Sequence, residues 1–204
     1  MNITVFGASG RTGRLVVAEG LRRGHQVTAF TRQPRNLPPS PAPTRVVTGD
    51  GRDPDAVRAA VNGADGVIAI IAAPNRKGPH HAAAVARVVT EIMAVSGVRR
   101  LAFTSAYPLV ADRPRLPMAL LRRLLADAYA DAAQMEQIVR SSDLDWTIVR
   151  LNRLLDGPAR GKVEISQGLL PRPRALTRAD VAATLLDTIE SNRYARTAIN
   201  VSGG

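Results

Sequence analysis

The stretch GASGRTG at residues 7–13 places three glycines at intervals of three, after the apolar run NITVF and before a helical pattern. Between a strand and a helix, Gly7 permits a tight turn, Gly10 lets a pyrophosphate approach the backbone, and Gly13 allows close helix–strand packing. The backbone amides then face an anion at a helix N-terminus. We therefore predict a dinucleotide-binding loop, although the spacing is GxxGxxG rather than GxGxxG, and a ligand-free turn is the alternative. The predicted contacts are Gly7, Ser9, Gly10, Arg11, Thr12 and Gly13.

The residues after the second predicted strand indicate which dinucleotide is bound. An NAD site usually has Asp or Glu there for the ribose hydroxyls, but the stretch FTRQPRN at residues 30–36 contains no acid. Arg32 and Arg35, with Arg11 as a further candidate, instead offer guanidinium groups that can hold a 2′-phosphate by charge-assisted hydrogen bonds. The sequence therefore favours NADPH over NADH as the cofactor.

Asp50 follows the third predicted strand, in the stretch TGDGRD. Its carboxylate has two interpretations, which the sequence leaves open. It accepts a hydrogen bond from the adenine amino group of the cofactor, or it caps the helix that starts near Asp53. In the first case Asp50 joins the predicted cofactor contacts.

Apolar, β-rich runs alternate with helical patterns along the chain. The predicted strands are 2–6, 26–31, 45–48, 66–71, 99–104, 145–150 and 197–202, and the predicted helices are 11–24, 54–62, 79–96, 118–141 and 178–191. Several strands are apolar on both faces, as a buried parallel sheet requires. We therefore predict the α/β class: a single Rossmann-like domain over residues 1–204, with a doubly wound parallel sheet and helices on both faces. The weakly patterned stretches at about 107–125 and 150–175 are predicted to be substrate loops.

The composition excludes several classes of protein. The chain has no cysteine, which excludes disulfides, thiolate zinc sites and cysteine catalysis and is compatible with the cytoplasm. No apolar run approaches the roughly 20 residues that cross a bilayer, and no metal site is predicted. The net charge of +11 would suit nucleic acid, but the basic residues are spread along the chain and aromatic residues make up only 3%. We therefore expect a cytoplasmic protein that binds a small molecule rather than a membrane or nucleic acid.

Several further stretches carry a resemblance to one known family. They are VTAFTRQPRNLP at 27–38, VVTGD at 46–50, GVIAII at 66–71, FTSAY at 103–107, SSDLDWTIVR at 141–150, DGPARGKV at 156–163 and LTRADVAATLLDTIE at 176–190. With them the chain resembles the atypical short-chain dehydrogenase/reductases, and within these the biliverdin reductase B / flavin reductase group and its bacterial NAD(P)H-binding relatives. The resemblance implies an extended NADPH whose nicotinamide lies near the loops at 71–76, 104–107 and 150–155. It thereby adds Ala72 and Ser105 to the predicted cofactor contacts.

Better-known short-chain dehydrogenases carry a Tyr-x-x-x-Lys pair, whose tyrosine donates a proton while hydride moves. Here Tyr107, Tyr129 and Tyr194 are each followed four residues later by alanine. A tyrosine-based alcohol dehydrogenase mechanism is therefore not expected. Flavin reductases of the resembled group also lack the pair. They hold a reducible ring against the nicotinamide while protons come from solvent, so positioning supplies much of the rate.

The candidates for catalysis are Ser105, Tyr107 and Arg153. Ser105 matches the family's active-site serine, and it orients the nicotinamide carboxamide, hydrogen-bonds an acceptor carbonyl, or merely closes a turn. Tyr107 offers a proton or an aromatic wall, or is simply packed. Arg153 stands where the resembled mammalian reductase has a histidine, and as a permanent cation it can bind an acidic substrate or stabilise an enolate but cannot donate a proton. Glu136 is expected on a solvated helix face.

The resemblance implies an NADPH-dependent oxidoreductase that transfers hydride to a planar conjugated acceptor, namely a flavin, a quinone or an aromatic, polyketide-like ketone. FMN or FAD would then be a substrate rather than a prosthetic group. Two alternatives remain open. The first is a non-catalytic NADP(H)-binding sensor, which the missing Tyr/Lys pair and Arg153 favour, and the second is an epimerase or isomerase that uses NADP transiently. The sequence leaves the substrate and the choice between monomer and homodimer undetermined.

Overall fold

Strands and helices alternate along the computed structural model, which describes residues 1–71, 81–111, 121 and 123–204. The strands in these residues are β1 (Asn2–Phe6), β2 (Gln26–Thr31), β3 (Arg45–Thr48), β4 (Gly66–Ala69), β5 (Arg100–Ala106), β6 (Asp145–Leu151), β7 (Leu154–Leu155), β8 (Val163–Ser166), β9 (Leu176–Thr177) and β10 (Thr197–Gly203). The helices are α1 (Arg11–Arg22), α2 (Pro54–Val61), α3 (Ala82–Ser96), α4 (Ala126–Arg140) and α5 (Arg178–Ser191), and short 3₁₀ turns lie at Pro34–Asn36 and Tyr107–Leu109.

Eight of these strands form one sheet in the order β3-β2-β1-β4-β5-β6-β10-β8, and β7 pairs with β9 separately. Neighbouring strands from β3 to β10 run parallel, whereas the edge strand β8 is antiparallel to β10. After β3 the chain returns past β2 and β1 to form β4, so the strand order reverses between β1 and β4. Ligands of doubly wound sheets bind at the carboxyl edge beside such a reversal. The predicted Rossmann-like, doubly wound α/β fold is confirmed.

Helices cover both faces of the sheet, as the doubly apolar strands predict. On one face, Ile3 and Val5 of β1 share a core with Val16 of α1 and Leu185 of α5. On the other face, Phe6 belongs to a second core that includes side chains from α2, α3 and α4. Because successive side chains of a strand point to opposite faces, β1 contributes to both cores. None of the described helices combines the length and hydropathy of a membrane span.

Two of the differences between the predicted and the observed boundaries have a clear structural reason. Strand β4 ends at Ala69 rather than at residue 71, because its partner β1 ends at Phe6, and the last bond of this ladder runs from the Ile70 amide to the Phe6 carbonyl. Strand β8 lies within the predicted 150–175 loop. It is a four-residue edge strand whose side chains are all at least partly exposed, so no continuous apolar run marks it in the sequence.

Candidate functional site

The glycine loop joins β1 to α1 at the carboxyl edge of the sheet, beside the reversal of strand order. Gly7 has a φ of +76°, a left-handed conformation that favours glycine, and a Cβ there would collide with the Ile70 carbonyl oxygen. A Cβ on Gly13 would collide with the Gly7 carbonyl oxygen. Gly10 is exposed, and the one described neighbour that its Cβ would meet is the Gly7 carbonyl oxygen at 3.2 Å. Gly7 and Gly13 therefore serve the fold, and Gly10 leaves the backbone open to a ligand.

The N-terminus of α1 is favourable for an anion. Gly10 is the N-cap, with no side-chain cap and no acidic residue in the first turn. The first amides of a helix lack intrahelical partners, and the helix dipole adds partial positive charge. The Ser9 and Thr31 hydroxyls share a hydrogen bond of 2.6 Å, which ties the loop to the end of β2. The loop thus offers free donors on a fixed backbone, as a phosphate group requires.

A cavity of about 490 Å³ lies beside this loop, and we call it the glycine-loop cavity. Its walls include Ser9, Gly10 and Arg32, together with residues at the ends of β3 and β4 and the start of α3. Arg35 lies farther along in the 3₁₀ turn after β2, where it is exposed. Ala72, another predicted contact, lies outside the described residues. The structure thus brings Arg32 to the same cavity as the glycine loop.

Asp50 also lines the glycine-loop cavity. Its carboxylate accepts hydrogen bonds from the Arg52 guanidinium at 2.8 and 3.0 Å and from the Arg52 amide at 2.9 Å. The guanidinium bond is the main reason that the pKa of Asp50 lies below its usual range. The cap of α2 is Asp53, which accepts from the Asp55 and Ala56 amides, so the alternative role of Asp50 as this cap is wrong.

A second cavity, of about 540 Å³, adjoins the first, and we call it the Ser105 cavity. Ile70 and Ile71, which follow β4, belong to the walls of both cavities. The Ser105 cavity also includes Thr12 from α1, Met135 from α4 and Leu154 after β6. Ser105 is next to last in β5, and this position puts it at the carboxyl edge of the sheet. A groove therefore extends from the glycine loop to Ser105.

Ser105 is hydrogen-bonded to a buried ion pair that was not predicted from the sequence. Its hydroxyl donates to the Glu136 carboxylate at 2.7 Å. Arg150, which lies opposite Ser105 in the neighbouring strand β6, donates to the same carboxylate at 2.8 and 2.5 Å. Glu136 is 6% exposed, so its expected position on a solvated helix face is wrong. The face of α4 that packs against β5 and β6 carries this carboxylate inward.

The charge of Glu136 follows from these contacts. Burial by itself raises the pKa of a carboxyl group, but the hydrogen bonds from Arg150 and Ser105 and the positive charge of Arg150 outweigh it, and the pKa of Glu136 is lowered. The carboxylate is therefore ionised at neutral pH. One signal in the sequence is the arginine at the end of the otherwise apolar strand DWTIVR, since a buried arginine requires an acidic partner.

The structure places the other two catalytic candidates away from the Ser105 cavity. Tyr107 is 3% exposed, and its hydroxyl accepts from the Leu170 amide at 2.9 Å, so its alternative interpretation as a packed residue applies. The Arg153 side chain is exposed and its carbonyl accepts from the Leu176 amide, while its neighbours Asn152 and Leu154 line the cavity. Neither residue is among the described residues that line the Ser105 cavity.

Asp180 fixes the loop at Arg160 and Gly161, which follows the last residues that line the Ser105 cavity. Its carboxylate accepts from the Arg160 and Gly161 amides at 2.9 Å, and from the Thr177 hydroxyl at 2.7 Å. Burial by itself would raise the pKa of Asp180. The hydrogen bonds from the Thr177 hydroxyl and the two amides outweigh this effect, so the pKa of Asp180 lies below its ordinary value. The carboxylate thus holds this loop against the start of α5.

Comparison with known proteins identifies the family of this chain. Residues 7–192 match the model of a family described as NAD(P)H-binding. The chain belongs to this NAD(P)H-binding family. The match begins at Gly7, at the start of the glycine loop, and extends to residue 192 in the segment after α5. The predicted resemblance and the prediction of a nicotinamide-dinucleotide-binding Rossmann protein are thereby confirmed.

Solved structures with the same fold include several proteins of similar length. An NADP complex of a short-chain dehydrogenase/reductase from Veillonella parvula has a TM-score of 0.81 at 21% identity, over 98% of this chain and 94% of that one. A Rossmann-fold NAD(P)-binding family protein from Shigella flexneri has a TM-score of 0.73 at 25% identity, over 99% and 93%. ChuY, an anaerobillin reductase from Escherichia coli O157:H7, has a TM-score of 0.76 at 22% identity, over 100% and 97%.

Curated relatives are considerably longer than this chain. The uncharacterized protein Rv2047c of Mycobacterium tuberculosis is 31% identical over 150 residues, which are 74% of this chain and 14% of the relative. The uncharacterized protein Mb2073c of Mycobacterium bovis matches with the same values. The chain thus spans about one seventh of the length of the curated relatives that it matches.

An exposed ion pair beside the glycine loop leads to a first prediction. Asp156 binds Arg178 at 2.6 Å and Arg11 of the loop at 3.4 Å. Asp156→Asn removes a negative charge near the predicted pyrophosphate and frees Arg11, so cofactor affinity should rise about twofold to threefold at low salt and less at high salt, because exposed charges are screened. Calorimetric titration at two salt concentrations measures this. Asp143→Asn, at an exposed aspartate that pairs with Arg196, is the control, and an unchanged or lower affinity in Asp156→Asn contradicts the prediction.

Proposed function

We propose that this NAD(P)H-binding protein is an NADPH-dependent oxidoreductase that transfers hydride to a planar conjugated acceptor such as a flavin, a quinone or an aromatic ketone. One observation carries the proposal: the glycine-loop cavity and the Ser105 cavity adjoin each other, and Ile70 and Ile71 line both. A dinucleotide whose pyrophosphate is held at the glycine loop has a continuous path to Ser105. An apolar cavity at the end of that path suits a flat, conjugated ring.

The residues of the glycine-loop cavity fit NADPH. The Gly10 position, which has no side chain, would let the pyrophosphate approach, and the amides at the uncapped start of α1 would hold it. Arg32, with Arg35 and Arg11 nearby, would hold the 2′-phosphate, since arginine binds phosphate by forked hydrogen bonds. Asp50 would meet the adenine, and Ala72 the nicotinamide end. The NADP complex of the Veillonella fold neighbour supports the phosphorylated form.

The chain's own contribution to the reaction is positioning. Bound NADPH supplies the hydride, and with one proton from solvent the acceptor gains two hydrogens while NADP⁺ is left. Met135, Leu151 and Leu154 line the Ser105 cavity with apolar surface, which holds a flat ring and excludes water from the face where hydride is delivered. Ser105 orients the reacting rings. Holding two reactants in the reactive geometry lowers the activation barrier by several kcal/mol, up to about 7–11 kcal/mol.

Residues 1–204 act as one NAD(P)-binding domain, with substrate loops at about 107–125 and 150–175. The substrate is a small molecule, and a flavin, where it is used, enters as substrate rather than as a prosthetic group. The chain has no cysteine and therefore no disulfide. This fits a cytoplasmic location, where disulfides are rare.

A non-catalytic NADP(H)-binding sensor is the second candidate. The packing of Tyr107 and the exposure of Arg153 favour it, because neither residue supplies a catalytic group to the Ser105 cavity. The two candidates differ in turnover. Purified protein with NADPH and a panel of FMN, FAD, quinones and ketones is followed at the nicotinamide absorbance band. Oxidation of NADPH with any acceptor supports the reductase, and tight NADPH binding without oxidation by the whole panel supports the sensor.

Ser105→Ala tests the proposed positioning. Turnover should fall about tenfold, because a ring that is less well oriented reaches the reactive geometry less often. NADPH affinity should fall by a smaller factor, since the pyrophosphate and 2′-phosphate contacts remain. Steady-state kinetics and calorimetry measure the two quantities separately. Ser191→Ala, an exposed serine whose hydroxyl donates to the Asp187 carbonyl, is the matched control, and an unchanged turnover number in Ser105→Ala would remove this serine from the mechanism.

A further inference from the structure

Ser105, Glu136 and Arg150 form a chain of hydrogen bonds with a fixed direction. The Glu136 carboxylate accepts twice from Arg150 and once from Ser105, at distances between 2.5 and 2.8 Å. Both members of the ion pair are largely buried, with side-chain exposures of 8% for Glu136 and 11% for Arg150. An ionised carboxylate in such surroundings has no proton to donate and acts only as an acceptor.

The direction of these bonds determines what Ser105 can offer to a ligand. A serine hydroxyl has one hydrogen and two lone pairs. The hydrogen is directed to Glu136, and the bond is charge-assisted, so it is stronger than a bond to a neutral acceptor. Ser105 lines the Ser105 cavity, and its remaining capacity toward that cavity is therefore as an acceptor.

We propose that Glu136 is a positioning residue that holds Ser105 as a hydrogen-bond acceptor, so that the site selects ligands presenting an N–H or O–H group to Ser105. The proposal rests on the proposed function, since it assumes that ligands occupy the Ser105 cavity. Two ligands can bring the donor: the carboxamide of the nicotinamide, or an N–H or O–H group on the conjugated acceptor. A bare carbonyl oxygen at this point would face the lone pairs of Ser105 and be disfavoured. Polarisation of an acceptor carbonyl by Ser105, which the sequence left open, is therefore excluded by this proposal.

Two matched pairs of ligands test the proposal in the wild-type protein. The first pair is NADPH and its 3-acetylpyridine analogue, which keeps the carbonyl oxygen and lacks the amide N–H. The second pair is a flavin and its N3-methyl derivative, which lacks the ring N–H. Calorimetry should show a preference of about threefold to tenfold for the donor-bearing member of one pair, as expected for one hydrogen bond. The pair that shows the preference identifies which ligand brings the donor.

Ser105→Ala should abolish that preference while still binding NADPH through the glycine loop. Equal affinities within both pairs in the wild type, or a preference that persists in Ser105→Ala, would overturn the proposal. Failure of NADPH itself to bind the wild type would instead overturn the proposed function. The two failures are therefore distinguishable in the same titrations.

Glu136 is tested by changing the direction of the bond. In Glu136→Gln the amide can donate to Ser105, whose hydrogen is then free to point into the cavity, so the preference should disappear or reverse. Because this variant leaves Arg150 buried without its charged partner, the double variant Glu136→Met with Arg150→Met removes both charges together. Thermal melting identifies which of the two is folded. A folded variant of either kind that keeps the full preference for the donor-bearing ligand contradicts the role of Glu136. In that case the ion pair would stabilise the fold without determining which ligands Ser105 accepts.

Discussion

Gly10→Leu is expected to weaken NADPH binding by at least about 100-fold. The leucine side chain would occupy the space through which the pyrophosphate approaches the loop backbone. Hydrogen bonds to a charged group contribute about 1.5–3 kcal/mol each, and the loss of two of them corresponds to a factor of this size. The fold itself should tolerate the change after a small local shift, because Gly10 is exposed, has an ordinary extended backbone with a φ of −72°, and would bring its Cβ no closer than 3.2 Å to the Gly7 carbonyl oxygen.

The structure makes Gly10 a better test than the other two glycines. Substitutions at Gly7 and Gly13 place a Cβ against backbone carbonyls, so they would lower stability as well as binding. Calorimetry measures affinity and thermal melting checks the fold, with Gly10→Ala as a smaller substitution that should give an intermediate loss. Ala59→Leu, at an exposed position of α2, is the size-matched control. NADPH affinity retained in folded Gly10→Leu would refute the assignment of this loop to the pyrophosphate.

The double substitution Arg32→Ala with Arg35→Ala should weaken NADPH binding about tenfold to 100-fold and NADH binding less than about threefold. The two cofactors differ by the 2′-phosphate, so a selective loss reports on that group alone. The expected range follows from charge-assisted hydrogen bonds to phosphate, reduced because both guanidiniums are exposed to solvent and salt. Arg32 lines the glycine-loop cavity, where its charge also contributes to lowering the pKa of Asp50.

The single variants divide this effect between the two arginines. Arg32→Ala should account for most of the loss, since Arg32 lines the cavity and Arg35, in the following 3₁₀ turn, is not among its lining residues. Titrations with NADPH and NADH, each at two salt concentrations, measure the selectivity. Arg58→Ala, an exposed arginine of α2 that pairs with Asp55, controls for the loss of surface charge. Equal losses for NADPH and NADH in the double variant would mean that the 2′-phosphate binds elsewhere.

The sequence by itself determined the fold and the position of the glycine loop between β1 and α1. The spacing of Gly7, Gly10 and Gly13 between a strand and a helix is local, and local backbone requirements are written in consecutive residues. The apolar strands alternating with helical patterns likewise determined the doubly wound sheet, because burial on both faces demands apolar residues at successive positions. The position of Ser105 at the end of β5 followed from that order.

Tertiary structure decided which polar side chains reach the groove. Glu136 and Arg150 lie 14 residues apart, and they meet because α4 packs on β5 and β6, which no local pattern records. The Tyr107 hydroxyl accepts from the Leu170 amide, and the exposed Arg153 lies between β6 and β7, so neither side chain lines the Ser105 cavity. The direction of a side chain depends on the elements packed against it, and those contacts join residues far apart in the chain.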